Sequence, residues 1–410
     1  MPKHGDHNSS TESLISIQVH PSIAKIGDCW REFQQKANGG PHDTWEWNDA
    51  WVRTAGASDT PLIVVGRDAN GEVLFLLPLT IRKRMGCAVL EWLSADQGNY
   101  ASGLFHPSAW LDANLPRGRE LLTLIRAALP RVDAVHLAAQ PRKVGNFTNP
   151  LAGLPGVMAA SAGHAFPLSV SWRAHYEKEF SSRQRSMLRR CERQLRKHGP
   201  LRFEAVGYGP RRAQIMDAMI GEKRLWFAEK GIPDVFANDG VRSFFRSLAQ
   251  VPDTATGLTV KLFTLSTGDQ STATSLGLVF QNRFYGLLAT TPQGPLRRYS
   301  PGRLLLLRLV EYLANKGIDT IDCGAGEDED KLRWCTVERE RLHAIVPVSF
   351  RGRIFATAMI LALKSKRHIK QTPHLWCWAQ RFRHWKSLMN RQPQPDRAAA
   401  VPSTVSRLKA

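Results

Sequence analysis

Residues 258–326 constrain the fold more than any other stretch. Three strand-like runs, LTVKLFTLSTGDQ, STATSLGLVFQN and RFYGLLATTPQG, follow one another with only short polar turns between them. Runs of this length joined this tightly make neighbouring antiparallel strands. A Ser-Pro-Gly turn then opens an apolar helix running to about Lys316, and IDTIDCGAG follows as a buried strand. The segment is therefore a compact α/β unit, and the rest of the chain must be arranged around it.

The first part of the chain reads the same way. LISIQVH is strand-like, and CWREFQQKA is helical. Trp45, Trp47 and Trp51 cluster around Glu46 and Asp49, and at helical spacing Trp47 and Trp51 share one face, as a packed core would require. LIVVGRDANGEVLFLLPL is a hairpin turning on Asp68-Ala69-Asn70-Gly71. CAVLEWLSADQGNYASGLF adds one or two strands, 119–129 a helix, and VDAVHLAAQP another strand. Residues 172–198 read as one helical region, and 211–231 and 239–250 as two further helices. The expected division is a disordered start (1–13), a first half (14–165), a second half (166–345), a basic helical extension (346–390) and a disordered tail (391–410).

Charge narrows the partners. Lys and Arg total 56 against 36 Asp and Glu, a formal net charge of +20. That excess points to a polyanion: nucleic acid, an anionic membrane face, or a phosphorylated substrate or cofactor. No helix-turn-helix or RNA-recognition motif accompanies it, so specific DNA binding is not expected. The six cysteines stand far apart, without CxxC or zinc-ligand spacing, which predicts reduced thiols and no metal. The acidic run Glu327–Asp330 lacks the calcium-loop pattern. A signal-peptide core is missing, and Ile354 to Leu363 is too short to span a bilayer, so the cytoplasm is the expected location.

Two basic motifs carry a choice of readings. Ser300 is a good N-cap and Pro301 suits the first helical position, which explains a helix start. Gly302, with Arg298 and Arg303 on either side, also suits an anion resting on free N–H groups. In the second motif, Arg185, Arg189, Arg193 and Lys197 fall on one helical face, opposite Leu188 and Leu195. That face is either solvated or turned towards an anion.

These residues carry a resemblance. TSLGLVFQNRFYGLLATT, YSPGRLLLLRLVEYLANKGIDTIDCGAG and DKLRW, with SSRQRSMLRRCERQLRKHG and TWEWNDAWV upstream, resemble the GNAT-superfamily acyltransferases of the CelD (BcsL-like) cellulose-biosynthesis type. The matching positions run in order through Ser300, Pro301, Gly302, Asp322, Gly324 or Gly326, Lys331 and Trp334. The resemblance covers roughly residues 44–340. It implies two tandem GNAT-like halves, each a mixed, mostly antiparallel sheet flanked by helices, as in the Fem-type aminoacyl-tRNA-dependent peptidyl transferases. It implies an acyl-CoA donor, acetyl-CoA foremost, held at Arg298, Ser300, Gly302 and Arg303, and no metal. Arg298–Arg303 departs from the usual Arg/Gln-x-x-Gly-x-Gly/Ala signature, which leaves the identity of the donor open.

The implied reaction is direct acyl transfer to an amine, which needs a base, a polarised carbonyl and an acid for the leaving thiolate. Tyr285, Asp322 and Glu327 are the candidates near the central strands. Asp322 either serves there or ties down Lys331, which in turn can neutralise an anionic substrate. Tyr285, Asp322 and Lys331 are the catalytic candidates, with Arg185, Arg189 and Trp334 on the substrate side. The expected acceptor is an amine of a sugar, a polysaccharide precursor or a small metabolite. The alternatives are an aminoacyl-tRNA donor and a non-catalytic scaffold for polysaccharide synthesis. The basic helix 183–197 would then face tRNA or a membrane surface.

Overall fold

The computed structural model describes residues 15–111, 116–168, 172–253, 257–326, 331 and 334–389. The expectations for 1–13, for 327–330 (with the candidate Glu327) and for 391–410 lie outside the described residues.

The first half begins with β1 (Ser16–His20), α1 (Gly27–Lys36) and α2 (Trp45–Val52). A hairpin follows, β2 (Pro61–Arg67) and β3 (Val73–Arg84). Its turn closes because Asp68 Oδ1 accepts from the Asn70 and Glu72 N–H groups, each at 2.9 Å, while Gly71 takes φ +85°. Next come β4 (Cys87–Trp92), β5 (Leu104–Phe105), the short α3 (Ser108–Leu111), α4 (Arg119–Ala127) and β6 (Ala134–Pro141). A small ribbon, β7 (Lys143–Val144) with β8 (Phe147–Thr148), precedes β9 (Gly156–Met158).

The second half opens with β10 (Gly163–Pro167), α5 (Trp172–Glu179) and α6 (Ser182–Arg196). The expected single helix over 172–198 is thus two. Ser181 ends the first and starts the second through a capping box: its Oγ accepts from Gln184 N at 3.3 Å, and its N–H donates to Gln184 Oε1 at 2.8 Å. Then follow β11 (Leu201–Val206), α7 (Pro210–Lys230) and α8 (Asp239–Ala249). The three expected strands are β12 (Thr259–Thr267), β13 (Gln270–Phe280) and β14 (Arg283–Thr290). Gln281 and Asn282 turn the last hairpin with φ near +50°, which matches strand twist. The chain continues with α9 (Pro301–Asn315), β15 (Thr320–Ala325), β16 (Val337–Arg339), β17 (Arg341–Pro347), α10 (Phe350–Gln371) and α11 (Pro373–Met389).

Two sheets result. One has the order β1-β2-β3-β4-β6-β17-β9, with β5 beside β3; the other has the order β11-β12-β13-β14-β15-β10-β16. The strands depart from the expected division in two places. β10 starts at Gly163 and already belongs to the second sheet. β17, placed by sequence in the second half, crosses back and pairs antiparallel with β6 and β9 of the first sheet. An apolar run tells which residues form a strand, whereas its partner is set by packing far along the chain.

Each sheet packs one face against its own helices, α4 on the first and α6 with α9 on the second. Between the halves lies a third core. It joins Trp30, Trp47 and Trp51 of α1 and α2 to Met216, Met219, Phe244 and Phe245 of α7 and α8, with Ile63 and Leu76 from one sheet and Val260 and Leu278 from the other. Trp47 is fully buried, meets Phe244 edge-on at 4.8 Å and donates from Nε1 to Ser94 Oγ at 3.0 Å. The tryptophan cluster therefore joins the two halves.

His42 sits in this core, edge-on to Trp47 at 4.6 Å, and neither ring nitrogen has a hydrogen-bond partner among the described residues. Burial pushes its pKa from 6.5 down to about 3. The unfolded chain therefore gains a proton near pH 6.5 that the folded chain refuses until about pH 3. The stability linked to His42 is complete above pH 6.5 and is lost as pH falls through about 3. Asp43 shifts the opposite way: burial raises its pKa to about 6, so its contribution is complete at low pH and lost as pH rises through about 6. Comparing His42→Phe with the parent isolates the histidine. Denaturant melts at several pH values should show the variant gaining, relative to the parent, roughly 4 kcal/mol between pH 7 and pH 3. A difference independent of pH would contradict this account.

Candidate active site

β14 and β15 run parallel, but only for three residue pairs: Arg283 with Thr320, Phe284 with Ile321, and Tyr285 with Asp322. Beyond that point the strands part. A bulge helps to turn β14 away, because Leu276 faces Leu288 while the next residue, Gly277, faces Gly286. Only glycine fits at 277, where an added Cβ would lie 2.1 Å from Phe284 Cζ.

The gap is bridged from the first half. Asn99 Nδ2 donates to Gly286 O at 3.4 Å, and Ala325 N donates to Asn99 Oδ1 at 3.2 Å. Gly324, with φ +74°, makes room for it: a Cβ there would lie 2.6 Å from Asn99 Nδ2. Arg341 fixes the same loop, donating to Asn99 O at 2.9 Å and to Ser161 O at 2.9 and 3.1 Å.

Asp322, at the last pair, is fully buried. Its Oδ1 accepts from Tyr100 Oη–H at 3.1 Å and from Gly324 N at 2.8 Å, and its Oδ2 faces Arg339 Nη1 at 3.3 Å. Burial pushes its pKa up, and Arg339, Gly324 and Tyr100 offset part of that. The expected tie between Asp322 and Lys331 is not formed. Lys331 Nζ instead donates to Ala325 O at 2.9 Å, at the open end of β15. The partner of Asp322 comes from β16, which sequence order did not bring to mind.

Tyr285 lies across from Asp322, and burial raises its phenol pKa, so it holds its proton at neutral pH. It lines a cleft of about 370 Å³ between the halves, together with Tyr100, Ser102, Arg142, Lys143, Arg283 and Arg339. Arg142 pairs with Glu340 at 2.5 Å and Arg339 with Asp322. Lys143 and Arg283 form no direct ion pair among the described residues, although Arg283 hydrogen-bonds Tyr285 and acts on Asp322, so the cleft keeps positive charge that suits an anion.

A second cavity, about 360 Å³, opens at the N-terminus of α9 and is lined by Thr291, Arg297, Ser300, Pro301, Gly302, Arg303 and Leu306. Ser300, Gly302 and Arg303 thus come together as expected. Arg298 does not join them: its guanidinium lies over the Tyr299 ring, 4.9 Å from the centroid. Arg297 takes that place, with Nη1 donating to Gln293 Oε1 at 2.7 Å. Ser300 is not the side-chain cap the sequence suggested. It adopts φ +51°, a left-handed conformation uncommon outside glycine, and its side chain makes no capping bond. A Cβ at Gly302 would lie 3.0 Å from Thr291 Oγ1 and would intrude on the cavity.

Three other expectations are corrected or divided. Arg185 turns back and donates to Glu177 O at 2.8 Å and to Phe180 O, closing the end of α5, away from the row of exposed arginines on α6. Trp334 is 3% exposed and packs edge-on against Phe180 at 4.5 Å, in the core beside the second sheet. Its motif position marks a packing role. Arg189, by contrast, lines a cavity of about 140 Å³ between α6 and α9, near Glu192 and Arg308. Asn99, Tyr100 and Arg339 were missed because their partners lie more than a hundred residues away or on another strand. The polar run Asp96–Asn99, between two apolar strands, was the one local signal. Also missed were Glu222 and Lys223 of α7. Burial raises the Glu222 pKa and its neighbour Thr290 offsets part of the rise, whereas burial and then the Lys331 charge lower that of Lys223. Glu222 and Lys223 thus stand with opposed shifts near the open end of the strand pair.

Comparison with known proteins agrees with this geometry. Residues 182–332 match the family model described as an acetyltransferase (GNAT) domain. The matched stretch contains α6 to β15, so the likeness to a GNAT-type acyltransferase domain falls within the second half. The chain is similar in fold to FemX, at 11% identity over 84% of this chain and 99% of that one, with a TM-score of 0.56. It is also similar to the C-terminal domain (DUF2156) of a putative lysylphosphatidylglycerol synthetase from Agrobacterium fabrum, at 12% identity over 82% and 95% of the two chains, with a TM-score of 0.50. Both likenesses cover more than four-fifths of this chain and so span its two sheets. A comparison with curated protein sequences finds no match.

The Asp322–Arg339 pair yields a test. Arg339→Met leaves a fully buried carboxylate without its cation and should cost about 3 kcal/mol in a denaturant melt. Asp322→Asn keeps the Tyr100 and Gly324 bonds without the charge, so the double variant should recover most of that loss. Simple addition of the two single losses would show that the pair is not coupled.

Proposed function

We propose that the protein is an acyl-CoA-dependent N-acyltransferase whose donor phosphates rest at the N-terminus of α9 and whose acceptor enters through the cleft between the halves. The parting of β14 and β15 after Tyr285 and Asp322 carries the reading. Beyond Gly286, whose carbonyl Asn99 takes, the β15-facing edge of β14 has no strand partner among the described residues, and an extended donor can pair there. The α9 cavity supplies helix-end N–H groups, a side-chain-free Gly302, and Arg297 and Arg303 for a pyrophosphate.

In this reading the acceptor amine, once deprotonated, attacks the thioester carbonyl. The C–N bond forms, the C–S bond breaks, and the thiolate leaves with a proton. Tyr285, protonated at neutral pH, is the proposed acid. Glu222, whose raised pKa suits proton uptake, is the proposed base. Asp322 holds Tyr100 and the strand end, so its role is positioning rather than direct. Lys331 is proposed to neutralise negative charge at the open end of β15. Lys143 and Arg283 favour an acceptor carrying an anionic group, in keeping with a phosphorylated amino sugar or polysaccharide precursor of the kind the CelD resemblance implies. The reading places the reaction in the cytoplasm, where acyl-CoA is made.

A second reading replaces acyl-CoA with aminoacyl-tRNA. The observation that favours it is α6, whose Arg183, Arg189, Arg190, Arg193 and Lys197 are all exposed. The two readings separate in a thermal-shift titration with acetyl-CoA, longer acyl-CoAs and free CoA. A rise in melting temperature that is lost in Gly302→Val supports the CoA donor. No rise with any of them removes it. Binding of charged tRNA that weakens steeply with salt would then favour the second reading.

A further inference from the structure

We infer that the hairpin of α10 and α11 docks the protein on an anionic membrane surface. The inner face of α10 is spent on the fold: Phe355 and Ala356 are buried, with Met359, Ile360 and Leu363 beside them, against β17 and its neighbours. Its outer face is apolar too. Phe350 is 76% exposed, Ile354 59% and Leu361 60%. At about 100° per residue these three fall within about 40° of one another and form one stripe. Helix α11 repeats the pattern with Leu375 at 40%, Trp378 at 71% and Phe382 at 60%, spaced three and four apart.

Charge identifies the occupant. Residues 350–389 contain nine Lys and Arg and no Asp or Glu. Arg353 and Lys364 are exposed and run along one side of the α10 stripe, within about 60° of Phe350. An exposed apolar stripe edged by cations is the pattern of a helix lying in a bilayer interface, with apolar side chains in the acyl boundary and cations at the anionic headgroups. A second copy of the same face would bring nine positive charges against nine. A nucleic acid would meet the cations but leave Ile354 and Leu361 in water. No helix among the described residues is long and apolar enough to cross a membrane, so the contact lies on the surface. The inference is independent of which acyl donor the site takes.

The test is co-sedimentation of the full chain with vesicles of phosphatidylcholine alone and of phosphatidylcholine with phosphatidylglycerol. Sedimentation with the anionic vesicles only, weakening as salt rises, is the expected result. Leu361→Ala with Trp378→Ala should lower the partition coefficient about tenfold. Arg353→Glu with Lys364→Glu should abolish selectivity for the anionic lipid. All four positions are exposed, and unchanged circular dichroism and melting of the variants would show that the fold is kept. Failure to sediment with either vesicle, or equal sedimentation with both, overturns the proposal. So does tRNA binding by this face without vesicle binding, or self-association that the same substitutions remove.

Discussion

A strand pair that stops pairing inside a protein leaves backbone groups without partners, and such groups are costly to bury. The parting of β14 and β15 creates that situation at Gly286 and Ala325. Asn99 answers it with one amide, accepting on one side and donating on the other. Because Asn99 belongs to the first half, the opening in the second sheet holds its shape only while the two halves stay together. Tyr100, the next residue, reaches Asp322 from the same loop. The site is therefore a property of the junction. The tryptophan core beneath it resists separation, since parting the halves would expose Trp47, Trp51 and Phe244 together.

The positive charge is distributed by task. In the cleft, acids consume part of it: Glu340 takes Arg142 and Asp322 takes Arg339, leaving Lys143 and Arg283. On α6, Glu192 holds Arg196 and Arg308 and Arg185 turns back to the end of α5, while Arg183, Arg189, Arg190 and Arg193 are exposed. On the last two helices no acid is present at all. A net charge of +20 thus resolves into three surfaces of different character: a recessed cleft, an exposed helix face, and an apolar stripe edged by cations. Only the first adjoins the parted strands.

Much of the fold was legible because its signals are local. Asp68 to Gly71 closes its hairpin by bonds within four residues, and Trp47 and Trp51 share a helical face that any core would use. The three strands after residue 258 fold back as the sequence demanded. What could not be read was partnership at a distance. The register of β17 with β6 depends on residues two hundred positions apart. Arg339 reaches Asp322 from an edge strand, and Lys331, closer in sequence, turns to a carbonyl instead. Arg297 rather than Arg298 lines the α9 cavity, and the left-handed Ser300 beside it is a conformation that no spacing rule reveals. Trp334 shows the converse: a residue that reads as part of a site motif is buried against Phe180.

The stretch matched as a GNAT domain, residues 182–332, is consequently not a self-sufficient machine. It omits β10, which pairs with β15 and stands between it and the edge strand β16. It omits Asn99 and Tyr100, which satisfy the parted strands, and Arg339, which balances Asp322. It includes α7 and α8, whose apolar faces are covered by α1 and α2 of the first half. Cut at those limits, the stretch would keep the α9 cavity but lose the groups that hold the strand opening and one wall of the cleft. The first half thus supplies backbone satisfaction and cover to a site whose proposed acid and base both lie in the second. The cleft draws its cations from both halves, Lys143 from one and Arg283 from the other.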